Sequence, residues 1–190
     1  ALGALFISGD ACSNHNHEIR RGRQDDLSRI FDPRMTDVIV GDAALAQVAT
    51  GFIFTKGPIW HPQAQHLTFS EMPGYIMRRW SAGDGVETFR QPCNKANGNA
   101  CDQAGRMLTC EHASSSTSST EADGTLHLIA DDFGQPNGLY FNLDHTRLFM
   151  NHTDKGHVRV FDVAGDNAVT GSGVWAPRPP KATDPARQTA

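Results

Sequence analysis

Three asparagines have side chains and a sequence context that suit binding of a cation or a polar ligand. Asn97 and Asn99 flank Gly98, and Asn137 precedes Gly138. Amide oxygens are hard ligands, which calcium and magnesium accept more readily than zinc does. Asn-Gly is also among the commonest turn dipeptides. The residues alone therefore leave two interpretations open, a ligand-binding role and a turn.

Acidic, histidine and cysteine residues give weaker indications of chemistry. Glu111 and His112 could supply a base or a metal ligand, although a structural role is the interpretation we favour. Glu71 is predicted to be structural. The four cysteines form no Cys-x-x-Cys pair and lack the paired spacing of a structural zinc site. Cys101 and Cys110 are predicted to be buried strand residues.

A period of about forty residues organises the chain from Asp37 onward. One set of glycines recurs at steps of 41 and 40 residues, and a second set recurs at steps of 39 and 41. The two sets are Gly57, Gly98 and Gly138, and Gly85, Gly124 and Gly165. Each unit reads as short apolar strands separated by polar turns, which is typical of a β-propeller blade. The sequence predicts an all-β, propeller-like fold of about three four-stranded blades, which is incomplete because closed propellers have about four to eight.

Composition predicts one ordinary domain with polar ends. The 190 residues carry a formal net charge of −4, which does not indicate nucleic-acid binding, and no apolar run could span a membrane. We expect an N-terminal extension over residues 1–36, blades over 37–176 and a disordered tail over 177–190. Residues 1–10 leave open whether the start is an export-signal remnant, so both a cytoplasmic and an exported, periplasmic location stay open.

The Ser/Thr-rich stretch and the three tryptophans allow predictions about solvent exposure and burial. The stretch 114–120 consists almost entirely of Ser and Thr. It could be a linker or a strand at a solvent-facing blade edge. Trp60, Trp80 and Trp175 recur near predicted strands, and we expect all three to pack in the core.

Five segments of the chain resemble the senescence-marker-protein, gluconolactonase and luciferin-regenerating-enzyme family. They are residues 54–60, 67–73, 97–99, 105–112 and 135–139, within a resemblance that runs from about 37 to 175. Members of this family are six-bladed propellers that hold one divalent metal, usually calcium, at the mouth of the central channel. The resemblance implies that this chain lacks one internal blade, between those of Asn97 and Asn137, and the C-terminal blades.

The resemblance also implies roles for individual residues. Asn137 matches the asparagine whose amide oxygen coordinates the metal. Asn97 matches a channel asparagine that faces the metal or the substrate, and Asn99 is a second substrate-binding candidate. Lys56 stands where the family has a metal-binding glutamate, and an ammonium group cannot coordinate a cation. The family's catalytic aspartate lies in a later blade, so the catalytic residue of this chain stays unknown.

By family, the expected function is metal-dependent hydrolysis of a small sugar lactone, with impaired catalysis. A metal would polarise the carbonyl and activate water, and a carboxylate beside it would act as general base. The expected cofactor is Ca²⁺ or another divalent ion such as Mg²⁺, Mn²⁺ or Zn²⁺. The alternatives are a catalytically inactive, truncated family member that acts as a binding module, and an unrelated propeller-type interaction protein. Open blade edges also predict self-association.

Overall fold

The computed structural model describes residues 5–8, 20–21, 32–37, 46–165 and 168–177. These ranges form β-strands and one 3₁₀ helix, Pro33–Asp37. The strands are β1 (Leu5–Ser8), β2 (Arg20–Arg21), β3 (Ala46–Thr50), β4 (Thr55–His61), β5 (His66–Glu71), β6 (Ile76–Ser81), β7 (Gly85–Arg90), β8 (Ala96–Cys101), β9 (Met107–Glu111), β10 (Ser116–Thr120), β11 (Leu126–Ala130), β12 (Pro136–Phe141), β13 (Arg147–His152), β14 (His157–Val163) and β15 (Val169–Pro177).

Three four-stranded antiparallel sheets make up the protein from β4 onward. We call them blade 1 (β4–β7), blade 2 (β8–β11) and blade 3 (β12–β15), and in each the spatial order of the strands follows the chain. The inner strands β4, β8 and β12 are neighbours, with β8 in contact with both of the others. The predicted all-β, propeller-like and incomplete fold is therefore confirmed, since the three blades do not close a ring within the described part of the chain.

Two apolar clusters hold the blades together. The cluster between blades 1 and 2 is built from Met77, Cys93, Ala96 and Met107, with Ile59 and Phe89 packed against it. The cluster between blades 2 and 3 contains Leu108, Cys110, Phe133, Leu139, Leu148, Met150 and Phe161. Because successive side chains of a strand point to opposite faces, β9 sends Met107 towards blade 1 and Leu108 towards blade 3. Cys110 is buried as predicted, whereas Cys101 is only partly buried.

The Ser/Thr stretch forms a buried strand of blade 2. All five residues of β10 are buried. Of the two interpretations left open, the linker is wrong, and the strand is present but lies inside the sheet rather than at a solvent-facing edge. Two of the buried hydroxyl groups have partners outside the strand: Ser118 donates to Glu111 Oε1 at 2.6 Å, and Thr117 donates to Met150 Sδ of blade 3 at 3.4 Å. The Thr120 hydroxyl is buried without a partner among the described residues.

A small sheet lies before blade 1 in the chain. β3 pairs with β1 in parallel and with β2 antiparallel. Ala49 of β3 and Phe52 after it pack against Leu67 and Phe69, on the face of blade 1 that points away from blade 2. The division at 1–36, 37–176 and 177–190 stays a prediction, and residues 178–190 lie outside the described ranges. Within those ranges no helix has the length and apolar character needed to cross a membrane.

Candidate functional site

Lys56, Asn97 and Asn137 occupy one register position in three successive blades. Each is the second residue of the inner strand of its blade. The residues before them pair with the last residues of the neighbouring strands, as Thr55–Glu71, Ala96–Glu111 and Pro136–His152. The three candidate side chains therefore belong to the same end of the blades. We call it the site end, the end at which β4, β8 and β12 begin.

Glycines after these residues let the inner strands approach one another closely. A Cβ atom placed on Gly57 would lie 3.0 Å from the carbonyl carbon of Asn97, and one placed on Gly98 would lie 2.9 Å from the Cα of Gly138. Non-bonded carbon atoms are normally about 3.5–4.0 Å apart. Only glycine fits at these two crossings, and the close approach brings the blades' polar residues together at the site end.

Asn97 and His112 form a hydrogen-bonded pair at the site end. The Asn97 side chain is buried, with the residue only 2% exposed, and its Nδ2 donates to His112 Nε2 at 2.9 Å. The backbone of Pro136 in blade 3 offers the imidazole a second hydrogen bond. The hydrogen bond between Asn97 and His112 fixes the direction of the Asn97 amide. His112, for which the sequence favoured a structural role, thus positions a predicted site residue. The register of β8 against β9 could have revealed this role, because His112 directly follows Glu111, the residue that pairs with Ala96.

The His112–Asn97 bond should be sensitive to pH. Burial lowers the pKa of His112 below 6.5, and the charge of Lys56 lowers that pKa further. The ring is therefore neutral above pH 6.5, and the acceptor is lost only as the pH falls through the lowered pKa. We expect the Asn97 side-chain amide signals in an NMR titration to stay constant above pH 6.5 and to shift below it. His112→Gln should abolish that shift, and a midpoint above 6.5 would contradict the assignment.

Asn99 uses its amide to join blades 1 and 2. Its Nδ2 donates to the Gly57 carbonyl at 2.7 Å, and its Oδ1 accepts from Thr109 Oγ1 at 2.8 Å. Both ends of the amide are thus engaged within the protein. The substrate-binding role of Asn99 stays a prediction.

Lys56 and Asn137 have fewer partners. The Lys56 ammonium lies 5.3 Å from the centroid of the Phe54 ring, a distance at which a cation is attracted by the ring face. The Asn137 side chain is partly buried, and it forms no hydrogen bond with the part of the chain that the structure describes. Of the three inner-strand positions, Asn137 thus keeps the most hydrogen-bonding capacity for a ligand.

Two carboxylates near the site end, those of Glu71 and Glu111, are held in ion pairs. Glu71 accepts from Arg78 at 2.8 Å, and Glu111 accepts from Arg90 at 2.8 Å. No group of three His, Cys, Asp or Glu residues is placed to hold a metal ion among the described residues. Calcium takes about six to eight oxygen ligands. The described residues therefore do not fit calcium, and the Lys56 ammonium adds a positive charge to the site end.

A separate cavity lies at the opposite end of the blades. It has a volume of about 250 Å³ between blades 2 and 3, and residues such as Asp102, Arg106, Phe141 and His145 line it. None of the predicted site residues is among those that line it. Its apolar walls, such as Leu108 and Val163, belong to the packing between these blades. We therefore retain the site end as the candidate site.

Comparison with known proteins gives partial matches to gluconolactonases. A gluconolactonase of Zymomonas mobilis is 30% identical over 66 residues, which are 35% of this chain and 18% of that protein. A solved gluconolactonase of Xanthomonas campestris matches with a TM-score of 0.56 at 18% identity, over 83% of this chain and 73% of that one. A structural-genomics target described as a candidate gluconolactonase matches at 0.55 and 22% identity, over 66% of this chain and 50% of that one.

A further solved structure shares the fold of this chain but is described as an enzyme of a different kind. The virginiamycin B lyase of Staphylococcus aureus matches with a TM-score of 0.52 at 13% identity, over 63% of this chain and 41% of that one. No family model matches the chain. This chain spans less than a fifth of the length of the curated gluconolactonase that it matches. The solved structures support the propeller-type fold, and together with the curated match they confirm the predicted resemblance to gluconolactonases.

Proposed function

We propose that this chain, a homologue of the gluconolactonases in sequence and in fold, binds a sugar lactone at the site end and acts as a lactone hydrolase. The observation that carries the proposal is the shared register position of Lys56, Asn97 and Asn137 in three adjacent inner strands. One polar side chain from each blade thus belongs to the same end of the protein. Polar groups that converge from several elements are what a binding site for a small polar ligand needs.

The residues at the site end match the polar groups of a sugar lactone. The lactone carbonyl is an acceptor that gains negative charge during hydrolysis, and the Lys56 ammonium is a charged donor that would stabilise it. The amide of Asn137 can donate to and accept from ring hydroxyls. His112 keeps the Asn97 amide in one orientation through their 2.9 Å hydrogen bond. Asn99 is retained as a second substrate-binding candidate.

Calcium is the cofactor implied by the resemblance, and its binding to this chain has to be measured. Asn137 and Asn97 would contribute two amide oxygens, but the carboxylates of Glu71 and Glu111 are bonded to arginines. Lys56 cannot act as a ligand. No step of the reaction is therefore assigned to a metal.

Lys56→Glu tests whether the inner-strand positions converge well enough to hold a cation. The substitution replaces a repelling ammonium with a carboxylate beside two amide oxygens, so we expect weak calcium binding with a dissociation constant of about 10⁻⁴–10⁻³ M. Isothermal titration should detect it in the variant and not in the native chain. Leu143→Glu, which adds a carboxylate at a fully exposed residue in the β12–β13 turn at the opposite end of the blades, is the control. Equal calcium binding by the native chain, or none by Lys56→Glu, would contradict this geometry.

A second candidate function is lactone binding without hydrolysis. Lys56 in place of an acid favours it, as does the commitment of Glu71 and Glu111 to arginines, because neither carboxylate is free to act as a general base. In this case the chain is an inactive binding module of the same family. The two candidates share the binding site and differ only in turnover.

Hydrolysis of glucono-δ-lactone, measured above the uncatalysed rate in the same buffer, separates the candidates. Assays run with calcium, with the other divalent ions and with a chelator. The hydrolase proposal expects turnover that falls about tenfold or more in Asn97→Ala, a loss of roughly 1.4 kcal/mol of transition-state stabilisation. His127→Ala, an exposed histidine on β11, should leave the rate unchanged. Binding without turnover would favour the binding module, and the absence of both would overturn both candidates.

A further inference from the structure

The face of blade 3 that points away from blade 2 carries an exposed aromatic patch. Tyr140 stacks on Phe149 with ring centroids 4.8 Å apart, and Phe149 meets Trp175 edge to face at 5.2 Å. Tyr140 is 51% exposed and Trp175 is 57% exposed. The expectation that Trp175 packs in the core is therefore wrong, because no blade follows blade 3 in the described part of the chain. The same expectation is wrong for Trp60, which is 37% exposed. We call Tyr140, Phe149 and Trp175 the aromatic face.

The corresponding faces of the other two blades are covered. Tyr140 pairs with Phe149 across β12 and β13, as Ala100 pairs with Leu108 in blade 2 and Ile59 with Thr68 in blade 1. Leu108 and Ala100 pack in the cluster against blade 3. Ile59 packs in the cluster against blade 2. The aromatic face thus stands where, in the preceding blades, the next blade packs.

The other end of the blade row is already covered. The face of blade 1 that points away from blade 2 packs Leu67 and Phe69 against Phe52 and Ala49. A head-to-tail ring of two chains would have to displace these residues. Pairing of one aromatic face with the same face of a second copy would displace none of the described residues. Such an isologous contact closes after two copies, which is the commonest symmetry of soluble oligomers.

Charge at the edge of the aromatic face is compatible with self-pairing. Arg147 and Asp162 lie on the same side of β13 and β14 as Phe149 and face each other at 3.6 Å, with both side chains more than half exposed. One cation and one anion leave the edge without net charge, so two copies do not repel each other. A second copy can also exchange these partners, Arg147 with Asp162 of the other chain. Apolar centres with polar rims are the usual arrangement of stable interfaces.

We propose that the chain forms a two-fold symmetric dimer in which the aromatic faces of two copies pack against each other. The dimer buries Tyr140 and Trp175, the two most exposed members of the patch. The interface lies beside the site end, because Asn137 is only three positions from Tyr140 in β12. The ends of β4 and β8 that carry Lys56 and Asn97 stay outside the contact.

Light scattering on the full chain tests the proposal. We expect about 41 kDa at micromolar concentration, twice the 20.7 kDa of one chain. Trp175→Glu should raise the dimer dissociation constant about thirtyfold or more, since buried aromatic anchors dominate such interfaces. Ile53→Glu adds the same charge at a residue 80% exposed at the blade 1 end, and it should leave the dimer intact.

Three outcomes would overturn the proposal. A mass near 20.7 kDa at 100 µM, a concentration chosen well above that of a stable dimer, would show that the native face has no partner copy. Dissociation by Ile53→Glu as well would indicate head-to-tail pairing. Dimerisation only after removal of residues 178–190 would show that this segment covers the face in the native chain. Circular dichroism checks that Trp175→Glu is folded, and Tyr140→Glu replaces it if it is not.

Discussion

Gly98→Ala is expected to destabilise the protein by about 3 kcal/mol, the upper part of the range for overpacking substitutions. The new Cβ would meet backbone atoms of blade 3, including the Cα of Gly138 at 2.9 Å and the carbonyl oxygen of Asn137. Backbone atoms cannot rotate away as a side chain can. Blades 2 and 3 would therefore have to separate at the point where Asn97 and Asn137 are held together.

Thermal unfolding measures this effect. For a chain of this length the loss corresponds to a fall in Tm of about 6–12 °C. Gly83→Ala is the matched control, since a Cβ at Gly83 meets no atom within 4 Å, and its effect should stay within about 0.5 kcal/mol. A Gly98→Ala variant as stable as Gly83→Ala would show that the inner strands are not in contact at this crossing.

Glu111→Ala is expected to cost about 3–5 kcal/mol, the usual effect of removing one partner of a buried ion pair. Glu111 is 3% exposed and accepts from Arg90 Nη2 of blade 1 at 2.8 Å and from Ser118 Oγ at 2.6 Å. The other guanidinium nitrogens of Arg90, Nε and Nη1, are buried without a described partner. Removal of Glu111 would leave the charge of Arg90 buried and unpaired.

Urea unfolding measures this loss, with Glu87→Ala as the control. Glu87 faces Arg79 at 3.6 Å with its side chain 54% exposed, and exposed pairs contribute about 0–1 kcal/mol. Equal losses in the two variants would contradict a buried role for Glu111.

The same carboxylate predicts a dependence of stability on pH. Burial alone would raise the pKa of Glu111, but hydrogen bonds from Ser118 and Asn94 and the charge of Arg90 lower it below 4.5. The unfolded chain therefore takes up the proton first as the pH falls. The stabilisation is present above pH 4.5 and is lost as the pH falls through the lowered pKa. Glu111→Ala should flatten the acid limb of the stability profile.

The fold could be predicted from the sequence because the glycines of the inner strands are required for close contact between blades. Gly57 and Gly98 stand where adjacent inner strands cross, so they recur with the blades. The same pattern placed Lys56, Asn97 and Asn137 in equivalent positions, and strand register bears this out. These features depend on local pattern, which a single sequence carries.

Burial and side-chain pairing that depend on contacts with other strands could not be predicted from the sequence. Ser116–Thr120 is polar by composition, yet β10 is buried because Glu111 and blade 3 supply partners from outside the strand. Trp175 has the character of a core residue, yet it is exposed because no described element packs on its blade face. The pairing of His112 with Asn97 depends on the register of β8 against β9. Side-chain type alone predicts none of these.

An NMR titration with glucono-δ-lactone shows whether a sugar lactone binds at the site end. The signals to follow are the side-chain amides of Asn97 and Asn137 and the imidazoles of His112 and His145. If the lactone binds there, the signals of Asn97, Asn137 and His112 shift together and saturate, while the signal of His145, in the cavity at the opposite end, stays unchanged. Shifts at His145 without shifts at Asn97 and Asn137, or no shifts at any of them, would contradict binding at the site end.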